Sequence, residues 1–86
     1  MSVLFDIRPG HTLDLAGLPG GTGQMIFRTL THQLCTPDTA LIIADALAEM
    51  RDFLGPTSHY FIHVERTEKA IRDMAPIFGA SLDAPA

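Results

Sequence analysis

The sequence predicts an α+β fold in one small domain. Three observations carry that expectation. One long helix has signals at both ends, a second helical run precedes it, and short stretches alternating with period two lie near the N-terminus and over residues 57–64. The expected order is β-β-α-α-β-α: a three-stranded sheet with a helical hairpin and a C-terminal helix packed on it. Residues 1–80 form the expected domain and 81–86 a frayed tail.

The long helix is the organising element. Thr36 suits an N-cap, because its hydroxyl can accept from a free amide of the first turn. Pro37 fits the first helical position, Asp38 sits at the positive end of the helix dipole, and Gly55-Pro56 supplies the stop. At about 100° per residue, Pro37 to Leu54 divides into three sectors. Ile42, Ile43, Ala46, Leu47, Met50, Phe53 and Leu54 form a broad large-residue face. Ala40, Ala44 and Ala48 make a narrow small-residue ridge with Arg51 in line, and Asp38, Asp45, Glu49 and Asp52 share the remainder. So wide an apolar arc predicts cover on two sides, by the preceding helix and by the sheet.

The other elements follow in order. Val3 to Ile7 alternates as a first strand and Thr12 to Leu15 as a second. Pro9-Gly10 between them suits a type II turn, whose twist mismatches a tight two-residue hairpin. A wider loop, or strands that are not direct partners, is therefore as well supported as a hairpin. Residues 17–23 hold four glycines and read as loop. Gln24 to Cys35 reads as helix with Ile26, Phe27, Leu30 and Leu34 on one face; so short a link to Thr36 predicts that it folds back on the long helix. Thr57 to Val64, rich in aromatic and β-branched residues, reads as the third strand. Glu68 to Ala75 reads as a last helix capped by Thr67 and ended or bent by Pro76.

Composition narrows the functional classes. Of 86 residues 47% are hydrophobic and 19% charged, which excludes disorder and leaves apolar surplus for a second copy or a partner to cover. Ten Asp and Glu against six Lys and Arg give a net charge of −4, so no basic footprint for nucleic acid exists. One cysteine, Cys35, allows neither an internal disulfide nor a four-thiolate metal site, and reads as a small packed residue. The N-terminal residues lack a basic, apolar leader pattern, and no run approaches the roughly 20 apolar residues of a membrane span. A cytoplasmic address is expected.

Motifs for chemistry are sparse. Gly20, Gly21, Thr22 and Gly23 lead into a helix N-terminus, where amides can converge on an anion. Neither the P-loop nor the G-x-G-x-x-G pattern is met: no lysine follows, and Ile26 stands where the third glycine belongs. The primary use of these glycines is conformational. His59 and His63 are spaced i, i+4, but on a strand they stand about 13 Å apart, too far to share a metal. No serine lies in a nucleophile elbow. No catalytic residue, metal ligand or cofactor is therefore assigned, and the balance leans against an enzyme.

The acidic sector is the feature least explained by folding. Asp45 and Glu49 at i, i+4, and Glu49 and Asp52 at i, i+3, each cost an isolated helix roughly 0.2–0.5 kcal/mol. No cation of the same helix lies on that face, although Arg66, Lys69 and Arg72 of the last helix could reach it. The expectation is a non-enzymatic protein-binding module, such as a regulatory subunit, an adaptor or an inhibitor of a larger machine. Asp38, Asp45, Glu49 and Asp52 would meet a basic partner, and self-association would cover apolar surface. The alternatives are a small-molecule or phosphate-binding protein using loop 17–23, with His11 or His59 nearby, and a purely structural homo-oligomer subunit.

Overall fold

The computed structural model describes residues 4–8, 10–32 and 34–82, in the order β1 (Leu4–Arg8), β2 (His11–Asp14), α1 (Thr22–Thr31), α2 (Pro37–Leu54) and α3 (Phe61–Leu82). The architecture is α+β with a two-stranded antiparallel sheet and three helices; the expected three-stranded sheet is not formed. Val3 and the end of the expected tail, 83–86, lie outside the described residues.

β1 and β2 are direct partners, pairing Leu4 with Asp14, Phe5 with Leu13, Asp6 with Thr12 and Arg8 with His11. The register slips between Asp6 and Arg8. A bulge-type slip of this kind adds local twist; Pro9 of the expected type II turn lies outside the described residues. Ile7, Leu13 and Leu15 point into the core. α1 rests on β1, with the Phe5 and Phe27 ring centroids 5.1 Å apart. Ile26 and Leu30 are its buried residues, whereas Leu34 lies beyond its end and is exposed. The helix stops at Thr31, four residues short of Cys35. Local bonds there compete with helix continuation: the Thr31 hydroxyl donates back to the Phe27 carbonyl, and the Leu34 amide donates to His32 Nδ1.

α2 forms as its end signals indicate. The Thr36 hydroxyl accepts from the Thr39 amide at 3.2 Å, and the Gly55 amide closes the last turn on the Arg51 carbonyl at 3.0 Å. Its packing differs from expectation. Ala40 and Ala44, fully buried, and Leu47 form its inner face, while Ile42 and Phe53 of the expected large-residue face are exposed. The helical hairpin is made by α2 and α3, the most extensive contact between elements; α1 is not the hairpin partner.

The segment expected to be the third strand is a turn followed by a helix. Ser58 organises the reversal: its amide donates to Gly55, its hydroxyl accepts from the Tyr60 amide, and its carbonyl accepts from Phe61. From there α3 continues through Pro76 to Leu82, well past both expected limits of the last helix. Val64, Thr67, Glu68, Ile71, Met74, Ala75 and Phe78 are buried, a single stripe at helical spacing. Continuing the helix places all seven on one face. Ending it at Pro76 would leave Phe78 without its place in the core, and Pro76 itself is on the exposed side. The alternation of Tyr60, Ile62 and Val64 is incidental to this longer period.

Close approach of α2 and α3 requires small side chains on the α2 ridge. Ala44→Leu is expected to overpack it and destabilise the protein by about 1–3 kcal/mol in urea unfolding. Ala46→Leu on the exposed face should stay within about 0.5 kcal/mol.

Candidate functional site

The side of α2 turned away from α3 is built by helical spacing alone. Asp38, Leu41, Ile42, Asp45, Ala46, Glu49, Asp52 and Phe53 are all exposed, successive members lying three or four residues apart along the helix or side by side. Phe53 is 90% exposed and Ile42 67%. At 1.5 Å per residue the two stand about 16 Å apart along the axis, as do Asp38 and Glu49. Viewed down the helix, the carboxylates form the centre of the face. Leu41 borders them on one flank, and Ile42, Ala46 and Phe53 on the other. An elongated surface results, apolar and acidic at once.

Two of the four carboxylates also serve the fold. Arg72 of α3 donates from Nη2 to Asp45 at 3.0 Å and from Nε to Glu68 at 2.7 Å. Glu68, whose side chain is only 11% exposed, accepts a second cation, Arg51 Nη1, at 2.6 Å. Arg51 Nε lies 3.5 Å from Asp52. The chain Asp52–Arg51–Glu68–Arg72–Asp45 thus ties α2 to α3 along one edge of their contact. The hydrogen bond to Glu68, then that to Asp45, raises the pKa of Arg72 above its ordinary value. Of the three cations expected to reach the acidic stripe, Arg72 does so; Arg66 and Lys69 make no ion pair to it. Asp38 and Glu49 have no ion pair among the described residues. They are the members of the predicted set whose charge faces outward unmatched.

The glycine-rich segment has folding uses for most of its members. Gly21 caps α1 at φ 82°, a left-handed conformation that lacks a side-chain penalty only in glycine. The Thr22 amide is taken up by the Pro19 carbonyl at 3.0 Å. At Gly23 a Cβ would stand 3.1 Å from the Leu15 carbonyl oxygen, so helix and loop meet there through the missing side chain. Gly20 is exposed with open space around it. Gly21 and Gly23 border a cavity of about 490 Å³ lined mainly by Phe5, Leu15, Leu18, Pro19 and Phe27, with no basic side chain in its wall.

The histidine pair is not on a strand. His59 lies in the turn, its ring 4.1 Å from that of Tyr60, and His63 lies in the first turn of α3 beneath Gly17. Among the described residues no group of three His, Cys, Asp or Glu is placed to hold a metal ion. Cys35 is buried, its thiol directed at the Thr36 carbonyl at 3.7 Å. No helix of the described residues is long and apolar enough to cross a membrane.

Sequence reasoning found the carboxylates of this face but assigned Ile42 and Phe53 to the core. It also overlooked Glu68, the carboxylate that clamps both arginines. The available signal was the buried stripe of α3, whose period places Glu68 beside Ile71 and Val64. Glu68→Ala should cost about 1–3 kcal/mol in urea unfolding, because two arginines lose their buried acceptor. Gly17→Ala forces a side chain into φ 82° and onto the His63 ring. It should lower stability by about 1–3 kcal/mol, read as a drop in the thermal midpoint.

Comparison with protein families, curated proteins and solved structures found no match to this chain.

Proposed function

We propose that the protein is a non-enzymatic binding module whose outer α2 face docks a basic, amphipathic segment of another protein. The observation that carries this reading is the coincidence on one face of Phe53 and Ile42, both largely exposed, with Asp38 and Glu49, both unmatched in charge. Exposing a phenylalanine to this extent forgoes about 1.5–3 kcal/mol that its burial would supply. A partner that covers Phe53 and Ile42 recovers that energy. Spacing of i, i+4, i+7 and i+11 from Ile42 through Ala46 and Glu49 to Phe53 is the pattern with which one helix reads another helix or a groove.

Charge selects the partner's chemistry. Lysine or arginine beside its apolar anchors would pair with Asp38 and Glu49, speeding encounter and fixing register. A second copy docking through the same face would instead bring these carboxylates toward their own equivalents. The same reading accommodates a regulatory subunit, an adaptor or an inhibitor.

Quantitative affinity capture with the wild-type chain, Phe53→Ser and Glu49→Lys tests the assignment. Asp45 is a poor target, because Arg72 depends on it within the fold. The expected result is a basic partner depleted by about tenfold or more with Phe53→Ser. With Glu49→Lys the loss is smaller and shrinks as salt is raised. Helical circular dichroism should match wild type in both variants. An identical captured set for all three chains overturns the proposal.

A further inference from the structure

A second surface, along the first turns of α3, is separate from the α2 face. A cleft of about 550 Å³ opens between β2 and the first turns of α3. Small-ligand sites have volumes of roughly 300–1,000 Å³. Thr12 and Asp14 line it from β2, Gly17 from the loop that follows, and His63, Arg66 and Thr67 from α3.

His63 and Arg66 stand at i, i+3 on the helix, hence on one face. Neither side chain has a hydrogen bond or ion pair to any described residue. That sets Arg66 apart from Arg51 and Arg72, both held by Glu68. His63 is nonetheless held in place. A Cβ on Gly17 would lie 2.7–2.8 Å from Cγ, Nδ1 and Cδ2 of its ring, so the loop backbone covers the imidazole's face. Its hydrogen bonding runs through the two in-plane ring nitrogens. Thr67, buried below, donates its hydroxyl to the His63 carbonyl at 2.8 Å and secures the same turn. On the β2 wall, Asp14 accepts the Ala16 amide at 3.0 Å, so its carboxylate is already engaged with the chain.

We infer that this cleft binds a small anionic metabolite, its phosphate or carboxylate held between Arg66 and His63. The guanidinium offers the planar donor fork suited to such groups, and the pinned imidazole adds a further nitrogen from a fixed direction. The Thr12 hydroxyl on the β2 wall meets the rest of the ligand and favours one that also carries an ammonium or hydroxyl donor. The preferred class is therefore a molecule with an anionic end and a donor end, not a simple anion.

The test is a titration of the full chain with inorganic phosphate, acetate and phosphoethanolamine at constant pH and ionic strength, with chloride as control. The amide resonances of Gly17, His63 and Arg66 report binding. Saturable shifts at these three positions are expected, and affinity for phosphoethanolamine should exceed that for phosphate by several-fold, since its ammonium meets the Thr12 hydroxyl. Saturation by phosphate or by acetate also identifies which anionic group the cleft takes. Arg66→Gln should weaken binding by about tenfold or more. Arg28→Gln, at an exposed cation of α1, should leave it unchanged. Shifts that stay linear to about 20 mM with every probe, or that persist in Arg66→Gln, overturn the assignment.

Discussion

The contact between α2 and α3 is the constraint on which the rest of the structure depends. Ala40 and Ala44 are fully buried, and opposite them α3 contributes Val64, Ile71 and Phe78, also fully buried. Small side chains on one helix let the other approach closely, and large ones on the second fill the space. Glu68 completes the arrangement. Burying a carboxylate is costly unless it is paired and hydrogen-bonded, and here two arginines from the two helices satisfy it. Among the described residues no buried side-chain polar atom is left without a partner.

That packing choice decides what the surface offers. Because α3 seats on the alanine ridge, the broad sector is split: Leu47 is buried and Ile43, Met50 and Leu54 pack against the core, while Ile42, Ala46 and Phe53 are turned outward. The hairpin of β1 and β2 is too short to cover them and is itself engaged with α1 and α3. Apolar side chains that look like core in a helical projection, Ile42 and Phe53, are therefore left exposed. The carboxylates beside them divide by the same geometry: Asp45 and Asp52 lie near the α3 edge and meet arginine, while Asp38 and Glu49 lie farther round and do not.

The candidate site was legible in part. Asp38, Asp45, Glu49 and Asp52 share a sector of α2 by period alone, and the structure leaves all four exposed. Arg72 could be singled out as one of three cations able to reach them, but choosing it over Arg66 and Lys69 requires the rotation of α3. Phe53 was unreadable as a surface residue. Its hydrophobicity argues for burial, and only the location of the partner helix reverses that argument. His63 and Gly17 are far apart in sequence, and their contact forms only once α3 is helical from Phe61 onward.

What the sequence by itself determined was the local structure with strong end signals. Thr36, Pro37 and Gly55 bound α2, and the alternation of β1 and β2 indicates strands. These depend on backbone hydrogen bonds and dihedral preferences within a few residues, which neighbouring side chains dictate. Only the tertiary structure decided the fate of residues 57–64. Tyr60-Phe61-Ile62 has strand-like composition, yet Val64 is the first of seven buried positions running to Phe78 in helical register. The apolar burial that such a stripe gains against α2 outweighs a local β preference whose whole scale spans about 1 kcal/mol. The same decision set which face of α2 is hidden, and so left Ile42, Ala46 and Phe53 of an expected core sector on the candidate binding surface.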